Sequence, residues 1–489
     1  MQRNTTPRRN MMKQQLSVVL AAALFAATPA LAADPIPVNP FNCDFEPACE
    51  VAPGVYGSLN APASSKFNLA VGGFIKLDYA YNSENFGPNG FYTNTRAPKN
   101  DSIEGQKEQS TFSARSSRLW FRSNGPTLLG GKTSALVEFD FSNSPVFGTA
   151  GVANTESFNA TPRLRQAWAN LDWGNTQLLF GQTNEGFNLF SANTVDFNAG
   201  TQAGYGNGQR VPQIRLTQKV EINKDNSIKL VLLAEQPFQT NFNQSATPIA
   251  VTAGNAVGSA GDSWGATPNI VGQAFFVSKA LGTSPIAGGF GQQSFTAGVF
   301  GLYGKQDVRG QSNSIDSWGT GFYTFIPVIS SKDGKSRAGS LTFEGQTFLA
   351  ANLNGATAYQ YTGTNANNGP AATPTNGTNA KLHAAKGAGF AGHVLFYPTD
   401  QLSINAGYGR RQAYDNVDYK NIPNYERYNQ TYFINAFYDL NAAVRVAAEY
   451  QRLDTGYGNI SVPATATGTS GASKEGSVNS GRLALYYFF

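Results

Sequence analysis

The chain has 489 residues, with 52 glycines, 34 phenylalanines and 21 tyrosines but only 14% charged residues. Its 36 basic and 31 acidic residues leave +5; four of the basic and none of the acidic residues precede Ala33, so the remainder carries +1. That balance gives no case for nucleic-acid binding, and the lack of an apolar run of about 20 residues after Ala33 excludes a helical membrane protein.

Met1 to Ala32 reads as an export signal. Arg3, Arg8, Arg9 and Lys13 form a basic start, Leu16 to Ala27 an apolar centre, and Ala30-Leu31-Ala32 a small-x-small end, with cleavage expected before Ala33. Translation can equally begin at Met11 or Met12. Ala33 to Lys66 is a Pro-rich lead-in, expected to be periplasmic and irregular. It holds the only cysteines, Cys43 and Cys49, which can close a small structural loop in an oxidising compartment.

The first strand expected is Phe67 to Tyr81. Leu69, Val71, Ile75, Leu77, Tyr79 and Tyr81 share one face, whereas Asn68, Lys76 and Asp78 share the other. The same alternation marks Ser110–Ser123, Thr133–Phe141, Arg163–Trp173, Thr176–Gln182, Val211–Ile222, Ser227–Gln236 and Asn269–Lys279. It returns at Ser294–Lys305, Asp316–Pro327, Ser340–Ala351, Gly387–Tyr397, Gln401–Arg411, Asn429–Asp439, Ala442–Gln451 and Ser477–Phe489. The last ends on an aromatic residue, an edge that must be paired. The expectation is an all-β fold: a transmembrane antiparallel β-barrel of about 16 strands spanning residues 67–489.

Connections alternate in length. Short turns lie at Gly174-Asn175, Asn223–Asn226, Pro398–Asp400 and Leu440-Asn441, between long polar segments such as Asn82–Gln109, Asn184–Arg210 and Asn352–Lys386. Short periplasmic turns and long extracellular loops are the outer-membrane arrangement. Ala280–Gln293 and Val328–Gly339 are too long for periplasmic turns and depart from the scheme.

Motifs for catalysis dissolve on inspection. Gly387–Gly392 spells G-x-G-x-x-G but continues as strand rather than helix, and Gly125–Thr133 has Pro126 where a phosphate loop needs glycine. His383 and His393 are the only histidines, too few for a triad or metal cluster. No catalytic, cofactor or metal site is expected. Charge placement remains: the inward parity carries Lys76, Arg118, Arg122, Arg215, Lys219, Lys229, Arg411, Arg445 and Arg482. It also carries Asp78, Glu138, Asp140, Asp172, Glu235, Glu344 and Glu449. Lys76, Arg118, Arg122, Arg445 and Arg482 are expected to form one basic wall across the closure seam, selecting anions.

The stretches Gly72–Asp78, Ser117–Ser123, Glu138–Phe141, Pro162–Trp168 and Leu171–Gln182 resemble the DcaP-like porins of Gram-negative outer membranes. The resemblance is best from Phe67 to Gln236 and thinner beyond, apart from the last strand. It implies a homotrimeric sixteen-stranded channel for small, often anionic solutes such as dicarboxylates, with Arg118 and Arg122 as solute contacts. Outer-membrane lipid and lipopolysaccharide would surround it. By analogy with sixteen-stranded porins, the third long loop, with Glu185 and Asp196, would fold inward as a constriction. Rival readings are a barrel enzyme of lipase or protease type and a soluble secreted β-protein that binds carbohydrate.

Overall fold

The computed structural model describes residues 41–42, 44, 61–64, 67–85, 97–143, 161–195, 210–237, 267–288, 291–307, 314–351, 353, 386–413, 425–460 and 471–489. The expected export signal, the Cys43–Cys49 pair, Asp196 and His383 lie outside these residues.

One antiparallel sheet closes on itself. Its nineteen hydrogen-bonded segments include two short pieces, Phe41–Asn42 and Ala61–Ser64, and two halves of one interrupted strand, so sixteen strands build the wall. These are β1 (Phe67–Asn82), β2 (Gln109–Ser113 and Arg118–Leu128), β3 (Gly131–Asn143), β4 (Thr161–Asp172), β5 (Thr176–Asn184), β6 (Arg210–Glu221), β7 (Asn226–Glu235) and β8 (Asn269–Pro285). They continue as β9 (Gly291–Asp307), β10 (Ser314–Ile329), β11 (Leu341–Ala351), β12 (Lys386–Phe396), β13 (Leu402–Ala413), β14 (Tyr425–Asp439), β15 (Val444–Gly458) and β16 (Glu475–Phe488). Every strand expected from alternation is present. Each pairs with its chain neighbours, and β16 pairs with β1 from Ser480↔Asn82 to Phe488↔Phe74. Full closure leaves no edge, which is what permits strands to sit in hydrocarbon.

Two departures from the alternating connections have physical causes. The strand β8 continues past Lys279 to Pro285 through a register shift between Ser278 and Thr283, so the turn before β9 is short after all. The turn between β10 and β11 stays long because it folds against the barrel: buried Arg337 donates Nη1 to Asp439 Oδ2 at 3.2 Å. The phosphate-loop look-alike is the β2–β3 hairpin, with Leu128 opposite Gly131. Gly387–Gly392 lies within β12.

Alternate residues face outward and are apolar: Ile75 and Leu77 on β1, Leu230 and Leu232 on β7, Leu485 and Tyr487 on β16 are all exposed. A closed barrel wrapped in an apolar belt is the architecture of an outer-membrane protein. The inner face differs from the uniformly polar one expected. On β1–β4 and β13–β16 it is largely polar and charged, but from β7 to β11 it is lined by Val231, Leu233, Val271, Phe275, Phe300, Leu302, Phe325 and Phe348. There both parities are apolar, so part of the interior is packed rather than wet.

The described pieces of the lead-in touch the barrel. Phe41–Asn42 runs parallel to Gly291–Gln292, and Asp44 accepts the Ser294 N–H at 2.9 Å and its hydroxyl at 2.8 Å. Lys229 Nζ donates to the Asp44 carbonyl at 2.9 Å.

Candidate functional site: the barrel interior

Residues 185–195, the start of the third long loop, leave β5 and run across the inside of the barrel. Glu185 turns the chain inward, its Oε2 accepting the N–H groups of Phe187 (2.8 Å) and Asn188 (3.2 Å). From there several strands in turn supply partners. Glu235 on β7 accepts the Gly186 N–H at 2.9 Å, and Gln346 on β11 accepts those of Leu189 and Phe190 at 3.3 and 3.1 Å. His393 Nδ1 on β12 accepts the Asn193 N–H at 3.3 Å, and Asn435 on β14 donates to the Asn193 carbonyl at 2.6 Å. Glu449 on β15 accepts the Val195 N–H at 2.8 Å, and Lys76 on β1 donates to the Val195 carbonyl at 2.6 Å. Because loop backbone inside a barrel cannot all reach bulk water, its amides need such partners.

The same loop supplies the apolar packing. Phe187 meets Phe300 edge-on at 5.1 Å and Phe348 at 6.0 Å, and Phe190 meets the His393 ring at 4.8 Å. Phe187 and Phe190 thus cover the apolar inner wall of β7–β11, burying it where water would otherwise stand.

The adjoining wall, β2–β6, is rich in charge. Arg165 donates Nε to Glu138 Oε1 at 2.6 Å and Nη1 to Asp140 Oδ2 at 2.5 Å; Arg163 grips Asp140 with two bonds at 2.8 and 2.6 Å. Arg118 faces Asp140 in register and lies 5.6 Å over the Phe74 ring. Arg210, at the start of β6, acts electrostatically on Glu138. Arg122 lies two residues further along β2's inward face, opposite Leu136. Arg215 donates to Gln213 Oε1 and to the Asn184 carbonyl, both at 3.0 Å.

Around the seam the expected basic wall is interleaved with acid. Lys76 Nζ is 2.7 Å from Asp78, Arg482 Nε is 3.9 Å from Glu449, and Arg411 Nη2 is 3.6 Å from Glu426. Arg445 bonds Asp439 through Nε and, at 3.1 Å, through Nη2. Opposite charges thus alternate from β13 round to β1, whereas β2–β6 carry more guanidiniums than carboxylates.

Sequence parity missed Arg163, Arg165 and Arg210. The reason for Arg165 is local: Glu138 faces Gln166 while Phe139 faces Leu164, so Arg165 is an extra residue at a bulge and turns inward beside Gln166. Nothing in the letters of β4 signals that bulge. His393 is also a loop anchor, a role that spacing alone does not reveal.

No family model matches the chain, and no curated relative does. Among solved structures, the outer membrane channel DcaP of Acinetobacter baumannii aligns over 87% of this chain and 99% of its own, at 18% identity and a TM-score of 0.58. An anion-selective porin from Comamonas acidovorans aligns over 87% of this chain and all (100%) of its own, at 10% identity and a TM-score of 0.48. By fold, then, the chain is a closed sixteen-stranded antiparallel β-barrel like that of the DcaP outer membrane channel, the architecture that its resemblance to the DcaP-like porins implied.

Proposed function

We propose that the chain is a passive diffusion channel for small hydrophilic solutes with a modest preference for anions, dicarboxylates included. The observation that carries this reading is the charge imbalance on β2–β6. Arg118, Arg122, Arg163, Arg165, Arg210 and Arg215 share a wall with Glu138 and Asp140, adjoining the apolar surface that the inward loop covers. A transverse field of that sign favours anions crossing between loop and wall. The loop narrows the path, and the chain works as a homotrimer embedded in outer-membrane lipid and lipopolysaccharide.

Reversal potentials across a planar bilayer in a salt gradient test it. The wild type is expected to pass anions over cations. Arg165→Ala, Arg118→Ala and Arg122→Ala are each expected to lower the anion-to-cation permeability ratio roughly two- to fivefold, because a unit charge close to a permeating ion is worth about 1 kcal/mol even in water. The largest change is expected for Arg165, which alone binds both carboxylates. A ratio that stays put in all three variants removes the anion reading; no conductance steps at all removes the channel.

A further inference from the structure

We propose that the outer wall of β13–β15 carries a phosphate site for lipopolysaccharide, built on Arg410 and Arg427 with Arg452 beside them. The site lies outside the barrel, so it goes beyond the channel reading and rests only on the barrel lying in an outer membrane. β13 and β15 start at Leu402 and Val444, just past short turns, and Arg410 and Arg452 each stand eight residues further on. At about 3.3 Å per residue and a tilt of about 40°, that is a rise of about 20 Å, near the top of an apolar band about 25 Å tall. Tyrosine rings, which belong at the headgroup level, occupy the row of Arg452. Tyr432 faces it in register and Tyr408 comes next, the two ring centroids 4.6 Å apart.

In the next row outward the cations are held in place but not neutralised. Arg410 donates Nε to Gln412 at 3.1 Å and Nη1 to Gln430 at 3.0 Å, and its guanidinium lies 4.4 Å from the Tyr428 ring centroid. Arg427 is turned outward by the bulge between Glu426 and Tyr428 and lies 5.5 Å from the same centroid. The two guanidiniums are therefore within about 10 Å of one another. Among the described residues neither is paired with a carboxylate. The acid of that row, Asp454, is taken by Arg452 Nε at 2.9 Å. Further out, Lys474 and Glu475 offset each other. At the corresponding ends of β6–β8 the outward residues are Pro212, Ile214, Leu232 and Ile270, none of them charged.

Phosphate is the group a guanidinium matches best, because it accepts two N–H bonds at once. The outer leaflet presents phosphate on lipid A at the depth of these arginines. Arg410 still has Nη2 to donate, and Arg427 its whole guanidinium. A second copy of the chain offers a poorer match: Asp316, an outward acid on β10, already accepts the Tyr303 hydroxyl at 3.0 Å and faces Lys305 in register.

Fluorescent lipid A titrated with the purified full chain in neutral detergent tests this by anisotropy, with heat-modifiable migration confirming the fold of each variant. Lipid A with both phosphates is expected to bind about tenfold more tightly than the same lipid stripped of them, the scale of one charge-assisted hydrogen bond. Arg410→Gln and Arg427→Gln are each expected to weaken binding about tenfold, whereas Lys305→Gln on β9 leaves it unchanged. Equal binding of the stripped lipid overturns the proposal, as does an affinity that neither arginine variant alters. Displacement of the lipid by equimolar inorganic phosphate would make this a free-phosphate site instead. Loss of oligomers on mild detergent gels in the arginine variants, with lipid affinity intact, would make the face a contact between copies and equally overturn it. Nothing in the assay needs conduction, so the lipid site and the channel reading fail separately.

Discussion

Leu129 stands where asparagine or glycine would be expected. It and Gly130 form the two-residue turn of the β2–β3 hairpin with φ of 49° and 79°, the pair of positive angles that a primed hairpin turn requires. Glycine adopts them freely, but leucine holds its Cβ against the backbone at a cost of about 1–2 kcal/mol. Leu129 is 86% exposed, so little packing offsets that strain, and the Trp173 indole N–H reaches only its carbonyl. Leu129→Asn is therefore expected to stabilise the barrel by about 1 kcal/mol in reversible urea unfolding; a loss of stability would show that the leucine side chain makes a contact that matters. At this scale the sequence is legible where a residue depends on parity alone. Lys76, Arg118 and Arg482 face inward as their alternation says. It is illegible where a residue depends on register, as Arg165 does at its bulge, or on a partner far along the chain, as Lys76 does on Val195.

Loops rather than strands decide how open the interior is. Besides the third long loop, residues 97–106 of the first one are latched to the last. Ala97 donates its N–H to Thr455 at 2.9 Å, and Asn100 donates to the Glu475 carbonyl at 3.0 Å. Asp101 accepts the N–H groups of Ser473 at 3.0 Å and Ala472 at 2.6 Å. Those backbone donors, Ser473 foremost, hold the Asp101 carboxyl below its usual range. A depressed carboxylate contributes stability that is present above its unfolded value of about 3.9 and is lost as pH falls through the folded one. Hydrogen exchange in residues 97–106 is therefore expected to be slow near neutrality and to accelerate below about pH 4 relative to the intrinsic rate. In Asp101→Asn the latch should already be loosened near neutral pH; equal protection in variant and wild type would sink the assignment. The strands themselves could be read from one sequence because alternation is a local signal. The filling of the barrel could not. Val231-Leu232-Leu233 and Phe275-Phe276-Val277 are apolar on both faces, and what the inner face packs against, Phe187 and Phe190, lies some forty to ninety residues away in a polar loop.

Closure ties the two ends of the chain together, and one residue bears on both sides of the join. The Gly73 N–H donates to the Phe489 carbonyl at 3.0 Å, and the Phe489 N–H donates back to the Gly73 carbonyl at 3.1 Å. Across the other edge of β1, a Cβ added to Gly73 would lie 2.2 Å from the backbone carbonyl oxygen of Arg118, an atom that cannot swing aside. A methyl group there must push β2 from β1 or break the seam with β16. Either leaves amides unpaired in hydrocarbon, at several kcal/mol each. Gly272 on β8 offers the control, because a Cβ there meets nothing within 4 Å on the outward face. Gly73→Ala is expected to abolish the compact, heat-modifiable form on detergent gels and its resistance to protease, whereas Gly272→Ala keeps both. If Gly73→Ala instead assembled as fully as Gly272→Ala, the seam would not join β1 to the C-terminus in the register described, and the order of strands around the barrel would need redrawing.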